Sequence, residues 1–348
     1  MNPPVTDSPA ASAIPLSLLD RALTRTGVPD ATILTEVVER ARAAEDLGFH
    51  GFWVAEHHAV PGIAGSAPTV LAAAIAGATS RMRVGTGGIM VPAHPPYIIA
   101  EAIAVLTALH PDRLDWGLGA SLGFTSAVRR VLLQSDDAAD RFGDDVTRVL
   151  EALGGASPVT LRPEPTTPAR LHVLTGGARL PLAAGSGLGA VVGGPSIHPP
   201  EDAAAPRRGR SGHSGLADYR RTFRPSAHCP APRVTVSVPV VVADTPEAAR
   251  HLALPEAWAT ALSRSTGSFD PLRPAEQLDV TRLTRQQAAR VERALAQTVH
   301  GTPEQVQERL TAIVRWTGAD ELLLTGGVSD PAGGAHSDRL LASLRVEA

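Results

Sequence analysis

Two rhythms of apolar positions alternate along the chain. Short apolar runs recur between longer stretches in which apolar side chains return every three or four residues. Leu16 to Leu19 reads as a first strand ending on Asp20. Asp30 then caps a helix whose apolar positions Ile33, Leu34, Val37, Val38, Ala41, Ala44 and Leu47 keep helical spacing, and Gly48 closes it. Gly51, Phe52, Trp53 and Val54 form a second strand, followed by a Pro/Gly loop and an Ala-rich helix from Pro68 to about Ala78. A third strand runs from Arg81 to Val91, a helix from Tyr97 to Leu109, and a fourth strand from Arg113 to Gly119. The stretch from Asp137 to Leu153 reads as mostly helical.

These units, over residues 14–153, repeat a strand-then-helix order, which predicts a parallel sheet. Leu171 to Thr175 and Leu188 to Val192 continue it as strands, with a short helix from Arg179 to Ser186 between them. Residues 193–210 lose all periodicity and turn Gly/Pro/Arg-rich, the mark of an exposed loop. Leu216 to Phe223 is a helix, and Arg233 to Val242 alternates as a long strand. Residues 245–300 read as helical with breaks. Thr302-Pro-Glu-Gln305 is a capping box opening a helix to Trp316, and Glu321 to Thr325 is the last strand.

Eight strand candidates alternating with helices predict a (β/α)8 TIM barrel spanning 14–348, with a loop-rich insertion around residues 193–230 and a disordered leader over 1–13. A doubly wound open sheet is the alternative.

Composition narrows the chemistry. The net charge is −3 and 19% of residues are charged, so nothing points to nucleic acid or a membrane surface. The single cysteine, Cys229, permits no internal disulfide and fits a cytoplasmic protein. All 32 basic residues are arginine, because the chain contains no lysine. Schiff-base aldolase and pyridoxal chemistry are thereby excluded, since both need a lysine amine.

The second strand ends in Glu56-His57-His58, titratable groups at the place where α/β folds put their chemistry. Neighbouring strand residues face opposite sides, so at most one of the two imidazoles points into a barrel mouth. The triplet has neither the helical H-E-x-x-H nor the H-x-H spacing of metal sites, so a metal is the minor reading of these residues. Gly87-Gly88 interrupts the third strand, where glycine is costly unless something approaches closely. Gly117, Gly119 and Gly123 only approximate a dinucleotide fingerprint. Thr175-Gly176-Gly177 precedes a short helix carrying Arg179, and backbone amides with an arginine suit a phosphate; an ordinary tight turn explains the same residues.

Trp53-Val-Ala-Glu-His-His58 with Pro61 to Pro68 resembles the bacterial luciferase-like flavin monooxygenases. So do Arg83-Val-Gly-Thr-Gly-Gly-Ile-Met-Val-Pro-Ala-His-Pro95, Leu109 to Asp115, and Gly301-Thr-Pro-Glu-Gln-Val306. The likeness is dense over 14–153, thins through 155–300 and returns near the carboxyl end.

The resemblance implies a (β/α)8 barrel, usually dimeric, that binds reduced FMN delivered by a separate flavin reductase. In such proteins the flavin reacts with O2 to give a C4a-hydroperoxide that oxygenates an organic substrate. A secondary-metabolite (polyketide) intermediate is the substrate expected here. His57 matches the family's base or peroxide partner, with Glu56 beside it, and Gly87-Gly88 matches a non-prolyl cis peptide held against the flavin. Relatives often supply a phosphate-binding arginine where this chain has Ala120, and a serine where it has Gly176. Arg179, the amides of Gly176 and Gly177, Thr175 and Ser121 are the expected replacements. Deazaflavin-dependent dehydrogenases share the fold, as do flavin binders that do not turn over, and both stay open, as does a zinc hydrolase.

Overall fold

Each barrel strand of this chain is buried on both faces, which is why so many of its strands read as nearly continuous apolar runs. The computed structural model describes residues 13–200 and 212–347. Most of the leader expected over 1–13, and residues 201–211 of the loop-rich stretch, lie outside the described residues.

The elements follow in order: β1 (Leu16–Asp20), α1 (Asp30–Leu47), β2 (Gly51–Val54), α2 (Pro68–Ala78), β3 (Arg83–Met90), α3 (Pro96–Leu109), β4 (Leu114–Gly119), α4 (Ser126–Val131) and α5 (Phe142–Leu153). Then come β5 (Arg170–Thr175), α6 (Leu180–Gly185), β6 (Gly189–Val192), α7 (Ser214–Thr222), β7 (Val234–Val242), α8 (Pro246–Thr266) and α9 (Arg285–Gln297). The chain ends with β8 (Val299–Gly301), α10 (Pro303–Thr317), β9 (Glu321–Thr325) and α11 (Pro331–Ala342).

All strand pairings are parallel, in the order β6-β5-β4-β3-β2-β1-β9-β7, and β6 pairs with β7 to close the ring. That closing pair excludes the open sheet. The chain is a TIM barrel. The short β8 stands outside the ring, paired with Val240–Val242 at the carboxyl end of β7. Among the described residues no helix is long and apolar enough to cross a membrane.

Outward strand residues such as Leu18, Phe52, Trp116, Leu171 and Val236 pack under the helices. The inward face has two layers. Toward the amino ends of the strands lies a polar plug: Ser17 donates to Glu321 at 2.6 Å, Arg233 reaches the same carboxylate at 2.8 Å, and Asp115 is held by Arg83 at 2.5 Å and His172 at 3.3 Å. Burial alone would raise the Asp115 carboxyl; its bonds to His172 and Arg83 hold it well below the carboxylate range instead. Above the plug, Leu19, Trp53, Ala55, Val191 and Leu323, with Leu174 against them, make an apolar floor facing the carboxyl ends of the strands.

Three expectations need correction. Asp30 is the first helical residue of α1, not its cap; the capping position is Pro29, and Asp30 instead places an acid in the first turn. The helix expected from Asp137 begins only at Phe142, and a separate short α4 precedes it, capped by Thr125 accepting from Val128 N. The breaks in 245–300 hide β8, too short to show a period. The loop-rich stretch expected around 193–230 links β6 to β7, and its described part holds α7. Its helix α7 buries Leu216 and Tyr219 completely, and the Tyr219 hydroxyl donates to Leu188 O at 2.9 Å.

Candidate active site

The chain just beyond β2 carries the densest chemistry. Glu56 and His57 leave it on opposite sides. The His57 backbone is fixed by its N–H donating to Gly65 O at 2.9 Å. Its ring is mostly buried, and Nδ1 has no partner among the described residues. Burial, and then the nearby Arg21 guanidinium, push the imidazole down to about 4, against a smaller opposing pull from Glu56. His57 is therefore a neutral ring at ordinary pH. Arg21, just past β1, is ion-paired with Glu256 of α8, and Glu256 also accepts from Gly327 N just past β9.

Glu56 turns the other way, so the expected catalytic pairing of Glu56 with His57 needs revision. The Glu56 side chain has no solvent exposure. Oε2 accepts from Met90 N at 2.7 Å, while Oε1 meets His58 Nε2 and His94 Nε2, each at 2.6 Å. The bond to Glu56 raises the His94 imidazole above its ordinary value, with burial opposing and the carboxylate charge assisting. Glu56 thus ties the end of β2 to the turn after β3. Sequence reasoning missed His94 and Arg21 as neighbours of this site, because each comes from a different strand end.

The glycines divide into two kinds. A Cβ on Gly85 would lie 2.3 Å from the Trp53 ring, one on Gly87 2.7 Å from Leu19 Cδ1, and one on Gly117 2.3 Å from Thr86 O. These residues are glycine because the interior is already full. The Gly87-Gly88 peptide is cis, and the β3–β4 register shifts between Thr86 and Ile89. Gly119, Gly176 and Gly193 are different. A Cβ there would meet nothing nearer than 3.5 Å, 4.0 Å and 3.6 Å respectively. Gly119 ends β4, Gly176 follows β5 and Gly193 follows β6, and together they leave open backbone along one side of the mouth.

Thr175, Gly176, Gly177 and Arg179 share one turn at the end of β5. The β4–β5 register, Leu118 opposite Val173, brings Ala120 and Ser121 to the same level. The expected use of the Gly177 amide is corrected by the Thr175 hydroxyl, which already accepts from Gly177 N at 2.9 Å and Arg179 N at 3.0 Å. Gly176 is exposed, and the Arg179 guanidinium lies 5.3 Å above the Phe142 ring. Ser121 is exposed and Ala120 packs against the core. An apolar floor, an open glycine edge and a guanidinium at the neighbouring strand ends fit a flat aromatic ring system with an anionic tail.

Beside this rim, between α1 and α11, opens a cavity of about 670 Å³. Arg21, Thr325 and Gly327 border it at the mouth end, and Val37, Leu324 and Leu341 farther along. Some of its charged groups are paired with one another: Arg40 with Asp20 and Asp338, and Arg25 with Glu36.

A family profile described as luciferase-like monooxygenase matches residues 19–321. A protein of Escherichia coli strain K12 named luciferase-like monooxygenase is 30% identical over 342 residues, covering 96% of this chain and 98% of its own. YvbT of Bacillus subtilis is 32% identical over 329 residues, 93% of each chain. Among solved structures, apo-MsnO8 aligns at a TM-score of 0.79 with 28% identity, over 94% of this chain and 97% of that one. Two more distant structures share the fold: the oxygenating constituent of 3,6-diketocamphane monooxygenase with FMN (TM-score 0.67, 17% identity, 96% and 98% covered) and an F420-dependent secondary alcohol dehydrogenase (0.66, 16%, 94% and 97%).

Proposed function

This chain belongs to the luciferase-like monooxygenase family, and from that premise we propose that it is a reduced-FMN-dependent monooxygenase acting on a small or medium, mainly apolar organic substrate. The observation that carries this reading is the mostly buried His57 ring, with Nδ1 unpartnered among the described residues, at the rim of an apolar floor. The cofactor, once bound, supplies the activation of O2.

The chain's own residues do the rest. Leu19, Trp53, Leu174, Val191 and Leu323 give the ring an apolar, water-poor seat. Gly119, Gly176 and Gly193 leave room for its edge. Arg179 and the Gly176 amide take the phosphate, with Ser121 near; the Gly177 amide is spent within the turn. His57, neutral, offers a ring nitrogen that accepts or donates one hydrogen bond at the reacting centre without adding a charge. The cavity between α1 and α11, walled in part by Ile33, Val37, Leu324 and Leu341, has room for a small or medium substrate with an apolar body. A polyketide-like aromatic is one such molecule.

O2 is the co-substrate, and a separate flavin reductase supplies reduced FMN by diffusion. A second copy of the chain is the other partner. Val70 on α2 and Ile98, Val105 and Leu109 on α3 are exposed, and α2 carries no charged residue. An apolar surface of this kind marks an association face.

Oxygen uptake in the presence of a flavin reductase, NADH and FMN, with a panel of apolar substrates, tests the proposal. Substrate-dependent uptake with an oxygenated product supports it. Hydride exchange between an alcohol and a deazaflavin, with no oxygen requirement, replaces it with the dehydrogenase reading.

A further inference from the structure

We infer that Glu56, His58 and His94 form a binding site for a divalent first-row transition metal of the zinc or cobalt class. The ligand atoms are His58 Nε2, His94 Nε2 and Glu56 Oε1, all within 4.8 Å of one another. Both imidazole nitrogens already aim at the same carboxylate oxygen, each at 2.6 Å. Two imidazoles and one carboxylate around an open side is the donor set of catalytic zinc and of facial-triad metals. Two nitrogen donors disfavour calcium and magnesium, which take oxygen ligands.

The site is prearranged in the way metal sites require. Glu56 is fully buried, and its second oxygen is fixed by Met90 N–H at 2.7 Å, so the ligating oxygen is held in place from behind. The three ligands come from two strand ends. The side chains of His58 and His94 are 18% and 35% exposed, which gives an ion an entry path and leaves a place for water as a further ligand. Metal–ligand bonds of about 2.0–2.1 Å need ligand atoms somewhat farther apart than the present hydrogen bonds, a small outward swing of two partly exposed rings. On binding, each neutral ring carries its proton on Nδ1 and turns the Nε2 lone pair to the metal. A ring that was protonated releases one proton to solvent.

Sequence spacing gave no hint of such a site, because the contiguous pair His57-His58 is not the pair that converges. His94 joins from the turn after β3, while His57 stays on the other side of the chain. The ion therefore ties the ends of β2 and β3 together and takes no part in the proposed oxygen chemistry, so the inference does not depend on that reading.

Untagged, chelator-stripped protein titrated with Co²⁺ provides the test. The expected result is saturation at one equivalent per chain, with a d–d absorption of low coordination number, displacement by Zn²⁺, and a rise in melting temperature with Zn²⁺. His94→Ala, whose fold is checked by circular dichroism, loses more than about tenfold in affinity, whereas His251→Ala, on α8 and far along the chain, binds like the parent. Glu56→Gln weakens binding as a second arm. Absence of saturable binding by the parent protein, or equal binding by the His94→Ala and parent proteins, overturns the inference.

Discussion

Glu56 and His94 share a 2.6 Å hydrogen bond across 38 residues of sequence, joining the end of β2 to the turn after β3. The same carboxylate takes the Met90 N–H, so its loss leaves a buried backbone donor without a partner. Glu56→Ala is expected to lower stability by about 2–4 kcal/mol, the cost of an unsatisfied buried donor plus a cavity. Glu56→Gln, which keeps an acceptor, should cost less than half of that. Urea denaturation of the two variants decides the order.

His57 makes stability depend on pH in a stated direction. The folded state holds the ring near 4, against an ordinary 6.5, so the unfolded chain binds more protons between those values. Stability is full above 6.5 and is lost as pH falls toward 4, by up to about 3 kcal/mol. His94 acts oppositely: its raised value adds stability below 6.5 that fades as pH rises through the folded value. The difference between parent and His57→Gln across pH 4–7, measured by denaturation with chelator present, isolates the first effect; a parallel pair of curves contradicts it.

The glycines of the mouth should separate by substitution. Gly117→Ala places a Cβ 2.3 Å from Thr86 O and should destabilise the fold by several kcal/mol. Gly119→Ala meets only Ile89 O at 3.5 Å and should fold normally while weakening flavin binding. Melting temperature reads the first and fluorescence quenching by FMN the second.

The apolar face of α2 and α3 predicts a dimer that charge disrupts. Val105→Glu combined with Leu109→Glu, both at exposed positions, should give a monomer by sedimentation with the fold intact. An unchanged dimer, or a monomeric parent, places the interface elsewhere.

Much of the barrel was legible because its signals are local. Helix α1 shows its period in Ile33, Val37, Ala41 and Ala44, all buried, and α10 carries its capping box at Thr302 and Gln305. The alternation of β7 was visible too, although it reflects Thr235 and Ser237 facing the barrel interior rather than solvent. What stayed hidden depends on strand pairing and closure. The β6–β7 pairing forms only when the ring shuts, while the union of His58 with His94 and the charge of Arg21 beside His57 appear only once neighbouring parallel strands set their ends side by side. The Thr175 hydroxyl consumed the Gly177 amide that a sequence pattern could only count as available.

Binding of reduced FMN under anaerobic conditions, followed by quenching of tryptophan fluorescence with Trp53 at the floor of the site, tests the central claim most directly. The account predicts saturable one-to-one binding that Gly119→Val abolishes and Arg179→Ala weakens, with oxygen consumed once air is admitted. Failure of the parent protein to bind reduced FMN at about millimolar concentration, well above the affinity range of working cofactor sites, would contradict it.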